Sequence, residues 1–272
     1  MMEVFGIDMT SRPTRAKPLA ILRARLDGGE LRYLGHERCA GWAGLDAALR
    51  RPGPWIAGLD FPFSFARAFV ERMGWPMGWA GLAHSLSDHS RETFGAAVRA
   101  DRDSQPAGHK HLPRDLDRRT GGAAPNNIVN PPVGLMLFEG AARLAAAGCA
   151  LPGLADGDPD RRAVEAYPAL VARALIGPTP YKDGRLEDRD MRFARRQRIL
   201  DGLAMGALPY GLRVHAPTDL AEDRAGDDLD ALLCAVQAAW AWRAGHAHAG
   251  PPGADPVEGW IADPAALART AR

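Results

Sequence analysis

The first sixty residues alternate between short apolar runs and turn signals. Residues 3–8 (EVFGID) and 55–60 (WIAGLD) predict two short buried strands, and each run ends on an aspartate. Between them, runs of alternating polarity at 19–26 and 31–38 flank a glycine-containing turn, which predicts a β-hairpin. Helical spacing follows over 42–49. The order strand, hairpin, helix, strand predicts a mixed α/β sheet with parallel and antiparallel pairs.

Beyond residue 60 the pattern is mostly helical. Residues 61–132 contain short helical patterns broken by prolines, with a polar loop at about 102–127, so we interpret this stretch as an insertion. The later patterns predict helices over 133–147, 169–176, 186–205 and 229–242, and strands over 163–167 and 257–262. We therefore predict a single domain over residues 1–272, with the insertion at about 61–132.

Composition and charge narrow the class of protein. Hydrophobic residues make up 46% of the 272 residues, and 34 Lys and Arg balance 33 Asp and Glu, which excludes a disordered chain and a polycationic arm. The three cysteines lie far apart without a CxxC pair. This spacing argues against a disulfide framework or a thiolate zinc site and favours a cytoplasmic location. No apolar run approaches the roughly 18 residues that cross a bilayer, so we expect no membrane partner.

Four aspartates are candidates for a common site. Asp8 and Asp60 close the two apolar strands, and the carboxyl ends of strands are where α/β sheets bind ligands. Taken singly, each could instead cap the loop that follows its strand. Asp227 and Asp230 are spaced i, i+3 at the start of a predicted helix, so both carboxylates leave one helix face. Capping explains one aspartate there, but not three acids among four residues.

An all-oxygen cluster of this kind is the ligand set that Mg²⁺ or Mn²⁺ prefers. Pairs of such ions about 3.5–4 Å apart promote phosphoryl transfer. We therefore predict Mg²⁺ or Mn²⁺ as cofactor, with Asp8, Asp60, Asp227 and Asp230 as metal ligands and catalytic residues. Glu165, in the predicted AVEAY strand, is a further catalytic candidate; the alternative places it on the solvated face of that strand.

Basic residues gather in two places. Residues 185–198 carry six arginines, and the predicted loop at 102–127 carries further basic residues. If the acidic cluster handles phosphodiesters, these side chains would contact a nucleic-acid backbone. Otherwise the arginines form a solvated helix face, and Lys182 lies in a surface turn. The candidates for nucleic-acid binding are Lys110, Arg114, Lys182, Arg192, Arg195 and Arg196.

Several segments together match a known family. VFGID, AGLDFPF, VEAYP and DDLDALLCAVQA follow the order of the ribonuclease H-like superfamily. More specifically, nearly the whole chain resembles family 429 of the domains of unknown function, a set of predicted ribonuclease H-like nucleases. The segments NPPVGLMLFEGAARL and VEGWI are also similar to that family. The resemblance implies a ribonuclease H-like α/β fold: a mixed central sheet flanked by helices, with a helical and loop insertion after the fourth strand.

The activity that the resemblance implies is divalent-metal-dependent hydrolysis of phosphodiester bonds in nucleic acid. An alternative is a catalytically inactive ribonuclease H-like module that binds nucleic acid or protein. A third hypothesis, an ATP-handling enzyme of the actin-like relatives, is disfavoured because the chain has no glycine-rich phosphate loop. The sequence leaves open whether the substrate is DNA or RNA, and whether the chain forms a homodimer.

Overall fold

A seven-stranded mixed sheet forms the centre of the computed structural model, which describes residues 1–182, 184, 188–206 and 209–267. The strands are β1 (Met2–Asp8), β2 (Leu19–Asp27), β3 (Glu30–Cys39), β4 (Trp55–Leu59), β5 (Cys149–Ala150), β6 (Asp158–Glu165) and β7 (Arg213–His215). Their order in the sheet is β5–β6–β4–β1–β2–β3–β7. β1, β2 and β3 pair antiparallel, and the other neighbours pair in parallel. The predicted mixed α/β sheet is confirmed.

Helices cover both faces of this sheet. They are α1 (Trp42–Leu49), α2 (Arg67–Arg72), α3 (Trp79–Ser87), α4 (Arg91–Ser104), α5 (Asp115–Thr120), α6 (Val133–Ala147), α7 (Pro168–Ile176), α8 (Arg189–Ala204), α9 (Asp227–Arg243), α10 (His246–Ala249) and α11 (Pro264–Leu267), with a 3₁₀ helix at Thr218–Ala221. Successive residues of β1 face opposite sides. Phe5 and Ile7 join one core with α1–α4 and α6, and Val4 joins the other with α7–α9. None of the described helices is long and apolar enough to cross a membrane.

Two glycines let α9 lie directly on the sheet. Gly6 of β1 and Gly58 of β4 are partners in neighbouring parallel strands. A Cβ on Gly6 would lie 1.8 Å from the carbonyl oxygen of Ala231, and one on Gly58 would lie 2.3 Å from that of Cys234. Because this pair carries no side chains, the backbone of α9 contacts the strands. The contact brings Asp230, which precedes Ala231, to the ends of β1 and β4.

Most predicted elements are present, but four regions differ from the prediction. The predicted loop at 102–127 contains the end of α4 and the whole of α5. Residues 257–262 are not a strand; within them Ile261 forms an isolated bridge with Glu165, and Gly259 forms one with Asp255. β5 and β7 have no signal in the sequence, because strands of two and three residues carry no periodicity. Residues 186–187, at the start of the predicted helix over 186–205, lie outside the described residues.

Candidate metal centre

Three aspartates from three elements meet at one edge of the sheet. Asp8 is the last residue of β1, Asp60 follows β4, and Asp230 lies in the first turn of α9. The main-chain N–H of Asp60 donates to the carbonyl of Ile7 at 3.0 Å, which holds Asp60 beside Asp8. One carboxylate oxygen from each aspartate lies within 4.8 Å of the others. Asp8 and Asp230 are buried and Asp60 is half-buried, so water screens their charges poorly.

Burial makes this acidic cluster hard to ionise. Desolvation, together with the charge of Asp230, raises the pKa of Asp60 to about 7 against the opposing charge of Lys182. Burial and the neighbouring carboxylates also hold the pKa of Asp8 well above its usual value. The pKa of Asp230 is raised by burial as well. A cation among these oxygens would stabilise all three charged forms, because an opposite charge lowers the pKa of a carboxyl group.

Tyr181 and Lys182, in the loop after α7, hold the Asp230 carboxylate. The Tyr181 hydroxyl donates to Oδ1 of Asp230 at 2.6 Å, and the Lys182 ammonium forms an ion pair with Oδ2. Gly226, just before α9, has φ +76°, and a Cβ there would lie 2.9 Å from Cγ of Lys182. Burial opposes the charge on Lys182, but the carboxylates of the acidic cluster raise its pKa above the usual value. Its ammonium is therefore part of the cluster. Sequence reasoning missed Tyr181 entirely.

The three aspartates in the first turn of α9 point to two different sides of the helix. Asp227 is half-buried and lines a cavity beside the acidic cluster. It lies outside the tight group formed by Asp8, Asp60 and Asp230. Asp228 faces β3, where Arg38 donates Nε to Oδ1 at 3.0 Å and Nη2 to Oδ2 at 2.6 Å. The ion pair with Arg38 explains the third acid of the motif. Asp227 and Asp230 are the two that face the cluster.

Glu165 belongs to a buried network beside the acidic cluster. Arg114 donates Nη2 to Oε1 of Glu165 at 2.5 Å and Nη1 to Oε2 at 2.8 Å, and it also binds Asp117. The N–H of Phe63 donates to Oε2 at 2.8 Å. Burial raises the pKa of Glu165, and the charge of Arg114 opposes the rise. These partners occupy the carboxylate, so the structure does not bring Glu165 into the tight group. Arg114 is 1% exposed, which gives its guanidinium no access to a nucleic-acid backbone.

The arginines of α8 anchor the loop that carries Tyr181 and Lys182. Three of them donate to successive carbonyl oxygens of this loop: Arg195 to Pro180 at 2.8 Å, Arg196 to Tyr181 at 2.7 Å, and Arg192 to Lys182. Arg196 is buried, so the structure does not offer it to nucleic acid either. Arg192 and Arg195 are half-buried. Lys110 is half-buried in the loop before α5, away from the cavities beside the acidic cluster, and Arg185 lies outside the described residues.

Two cavities adjoin the acidic cluster. The first, which we call the chamber, has a volume of about 300 Å³. Its lining includes the charged residues Asp8, Asp60, Asp227, Lys17, Lys182, Arg114, Asp117 and Glu165 and the apolar residues Phe61, Pro62, Pro131, Pro132, Val133 and Met136. The second, which we call the outer cleft, has a volume of about 600 Å³ and is lined by Asp60, Asp230, Lys182, Arg173 and Arg192 among others. Asp60, Lys182 and Tyr167 line both cavities, so the acidic cluster lies between them.

Residues 6–255 match the family described as "Protein of unknown function (DUF429)". The chain belongs to the DUF429 family. No curated protein and no solved structure matches it significantly. The matched residues contain the whole acidic cluster together with Lys182. Because the function of the family is not known, the function of this chain is inferred from the geometry of the site.

Proposed function

We propose that this DUF429 protein is a divalent-metal-dependent nuclease with a ribonuclease H-like fold. The observation that carries the proposal is the meeting of Asp8, Asp60 and Asp230 within 4.8 Å at the sheet edge. The strand order supports it. β1, β2 and β3 form an antiparallel meander, β4 pairs in parallel with β1 on its other side, and acids follow both β1 and β4.

The charges in the site favour a divalent cation. Four carboxylates, those of Asp8, Asp60, Asp227 and Asp230, face one ammonium, that of Lys182. A second positive centre would favour the ionisation of all of these carboxylates together, because an opposite charge lowers the pKa of a carboxyl group. The tight group offers oxygen atoms alone, which suits Mg²⁺ or Mn²⁺ better than a metal that prefers nitrogen or sulfur.

In this proposal Asp8, Asp60 and Asp230 hold the cation, and Asp227 is a further ligand. Bound Mg²⁺ or Mn²⁺ would stabilise charge on the phosphate and supply a water nucleophile at neutral pH. Lys182 places an ammonium beside the same carboxylates, where it would neutralise charge on a phosphate oxygen. Tyr181 keeps Asp230 oriented through its hydroxyl. Arg192, which lines the outer cleft, would contact the nucleic-acid backbone there.

The test is hydrolysis of single-stranded DNA and RNA oligonucleotides by the full chain in Mn²⁺ or Mg²⁺, compared with EDTA. We expect cleavage that requires the metal. Asp8→Asn removes a ligand and should abolish cleavage while the far-ultraviolet circular dichroism spectrum is unchanged. Asp228→Asn, which alters an acid outside the acidic cluster, is the matched control and should retain cleavage. The proposal is wrong if the folded wild-type chain cleaves nothing, or if Asp8→Asn cleaves at the wild-type rate.

One observation favours a second candidate, a catalytically inactive module that binds nucleic acid. The ion pair between Lys182 and Asp230 supplies the acidic cluster with a cation from the chain itself. If the Lys182 ammonium alone stabilises the charged carboxylates, the module needs no metal. It then binds nucleic acid equally well in EDTA, and Asp230→Asn does not change the affinity.

A further inference from the structure

The chamber limits what can lie beside the acidic cluster. Its volume of about 300 Å³ is at the lower end of the roughly 300–1,000 Å³ typical of small-molecule sites. The insertion contributes much of its wall, through Phe61, Pro62, Gly122, Ala123, Pro131 and Pro132, and α6 adds Val133 and Met136. The insertion therefore encloses one side of the cluster, where a duplex would need an open groove.

The lining of the chamber combines charged and apolar surface in the way that a nucleoside phosphate requires. Phe61, Pro132 and Met136 offer apolar surface for a ring. Asp8, Asp60 and Lys182 line the same chamber. A phosphate attached to a ring on the apolar surface would therefore lie beside the acidic cluster. Lys17 also lines the chamber, so two of the three lysines of the chain are found here. An ammonium is a common phosphate-binding group.

We propose that the chamber binds a single nucleoside phosphate, with its base against the apolar wall and its phosphate at the acidic cluster. The proposal deepens the nuclease proposal and rests on it for the cleavage step. The chain would act on one nucleotide at a time, either at the end of a strand or in a small phosphodiester, with the other side of the phosphate in the outer cleft. A chamber of about 300 Å³ holds one nucleotide and has no room for a continuous duplex inside it.

Binding is measured first, because it does not depend on hydrolysis. Thymidine 5′-monophosphate is titrated calorimetrically into the full chain in the presence of Mn²⁺. Ala123→Trp places an indole in the chamber from a half-buried loop position, and we expect it to weaken binding about tenfold or more. Ala254→Trp is the matched control, at a half-buried loop alanine that does not line the chamber, and it should bind like wild type. Absence of nucleotide binding by wild type, or unchanged binding by Ala123→Trp, overturns the proposal.

Cleavage then distinguishes the two sources of the nucleotide. The substrates are a linear single strand, a covalently closed circle of the same sequence, and the p-nitrophenyl ester of thymidine 5′-monophosphate. Cleavage of the linear strand but not of the circle supports a strand end, and cleavage of the ester alone supports a small phosphodiester. Equal rates on circle and linear strand contradict the proposal. Nucleotide binding that Ala123→Trp weakens, without cleavage of any substrate, refutes the nuclease proposal and leaves the binding chamber supported.

Discussion

Replacing Gly6 with alanine perturbs the contact that brings Asp230 to the strand ends. The new Cβ would lie 1.8 Å from the carbonyl oxygen of Ala231 and 2.5 Å from the nitrogen of Ala235. Both are backbone atoms of α9, so no change of side-chain rotamer relieves the overlap. Since real Cβ contacts are essentially never shorter than 3.0 Å, α9 must move away from β1 by more than about 1 Å.

Overpacking a core costs roughly 1–3 kcal/mol, and the rigid obstacle at Gly6 places this substitution near the upper end, about 3 kcal/mol. With a urea slope of about 3 kcal/mol/M, the unfolding midpoint falls by about 1 M. The displaced Asp230 also weakens Mn²⁺ binding. Gly78→Ala is the control, because its φ is −79° and a Cβ there meets nothing within 4 Å. A Gly6→Ala chain with the wild-type midpoint and the wild-type Mn²⁺ affinity would refute this account of how α9 packs.

Three further substitutions or conditions have defined outcomes. Arg114→Met leaves Glu165 and Asp117 buried without a partner and should lower the free energy of unfolding by about 3–5 kcal/mol in urea titrations; a wild-type value would contradict the buried network. Lys182→Met removes a charge of the same sign as the metal and should tighten Mn²⁺ binding in calorimetry, whereas weaker binding would show that Lys182 does not compete with the ion. The pKa of Asp60 is about 7 in the folded chain, and its ordinary value is 3.8. The folded chain therefore keeps this proton up to a higher pH than the unfolded chain does. Without metal, the free energy of unfolding should therefore fall as the pH rises from about 4 to about 7. The affinity for Mn²⁺ should rise from about pH 6 to pH 8 as Asp60 loses its proton. Binding of Mn²⁺ that does not depend on pH would count against the site.

The aspartates of the acidic cluster could be predicted because their signals are local. Asp8 and Asp60 each close an apolar run, and the ends of two neighbouring parallel strands meet at one sheet edge. Asp227 and Asp230 share a helix face through their spacing alone. The glycines in FGID and AGLD are a further local signal, since glycine inside a strand often marks a close backbone approach. That signal could have predicted how α9 lies on the sheet.

The partners of charged residues could not be predicted, because they depend on packing between distant segments. An arginine is mostly exposed in proteins, so the sequence around Arg114 favours solvent. It is buried here because Asp117 and Glu165 come together around it. Lys182 keeps 39% of its side chain exposed, and its ion pair with Asp230 forms because the loop after α7 packs against the start of α9. Arg192, Arg195 and Arg196 of α8 turn toward the carbonyl groups of that loop for the same reason.

The central claim, that the acidic cluster is a divalent-cation site, is tested most directly by calorimetric titration of Mn²⁺ into the metal-free full chain at pH 8. We expect binding by wild type and by Asp228→Asn, whose acid pairs with Arg38 instead. Asp230→Asn should weaken the binding about tenfold or more while the protein stays folded. Wild-type protein that binds no Mn²⁺, or an Asp230→Asn variant with the wild-type affinity, would contradict the claim.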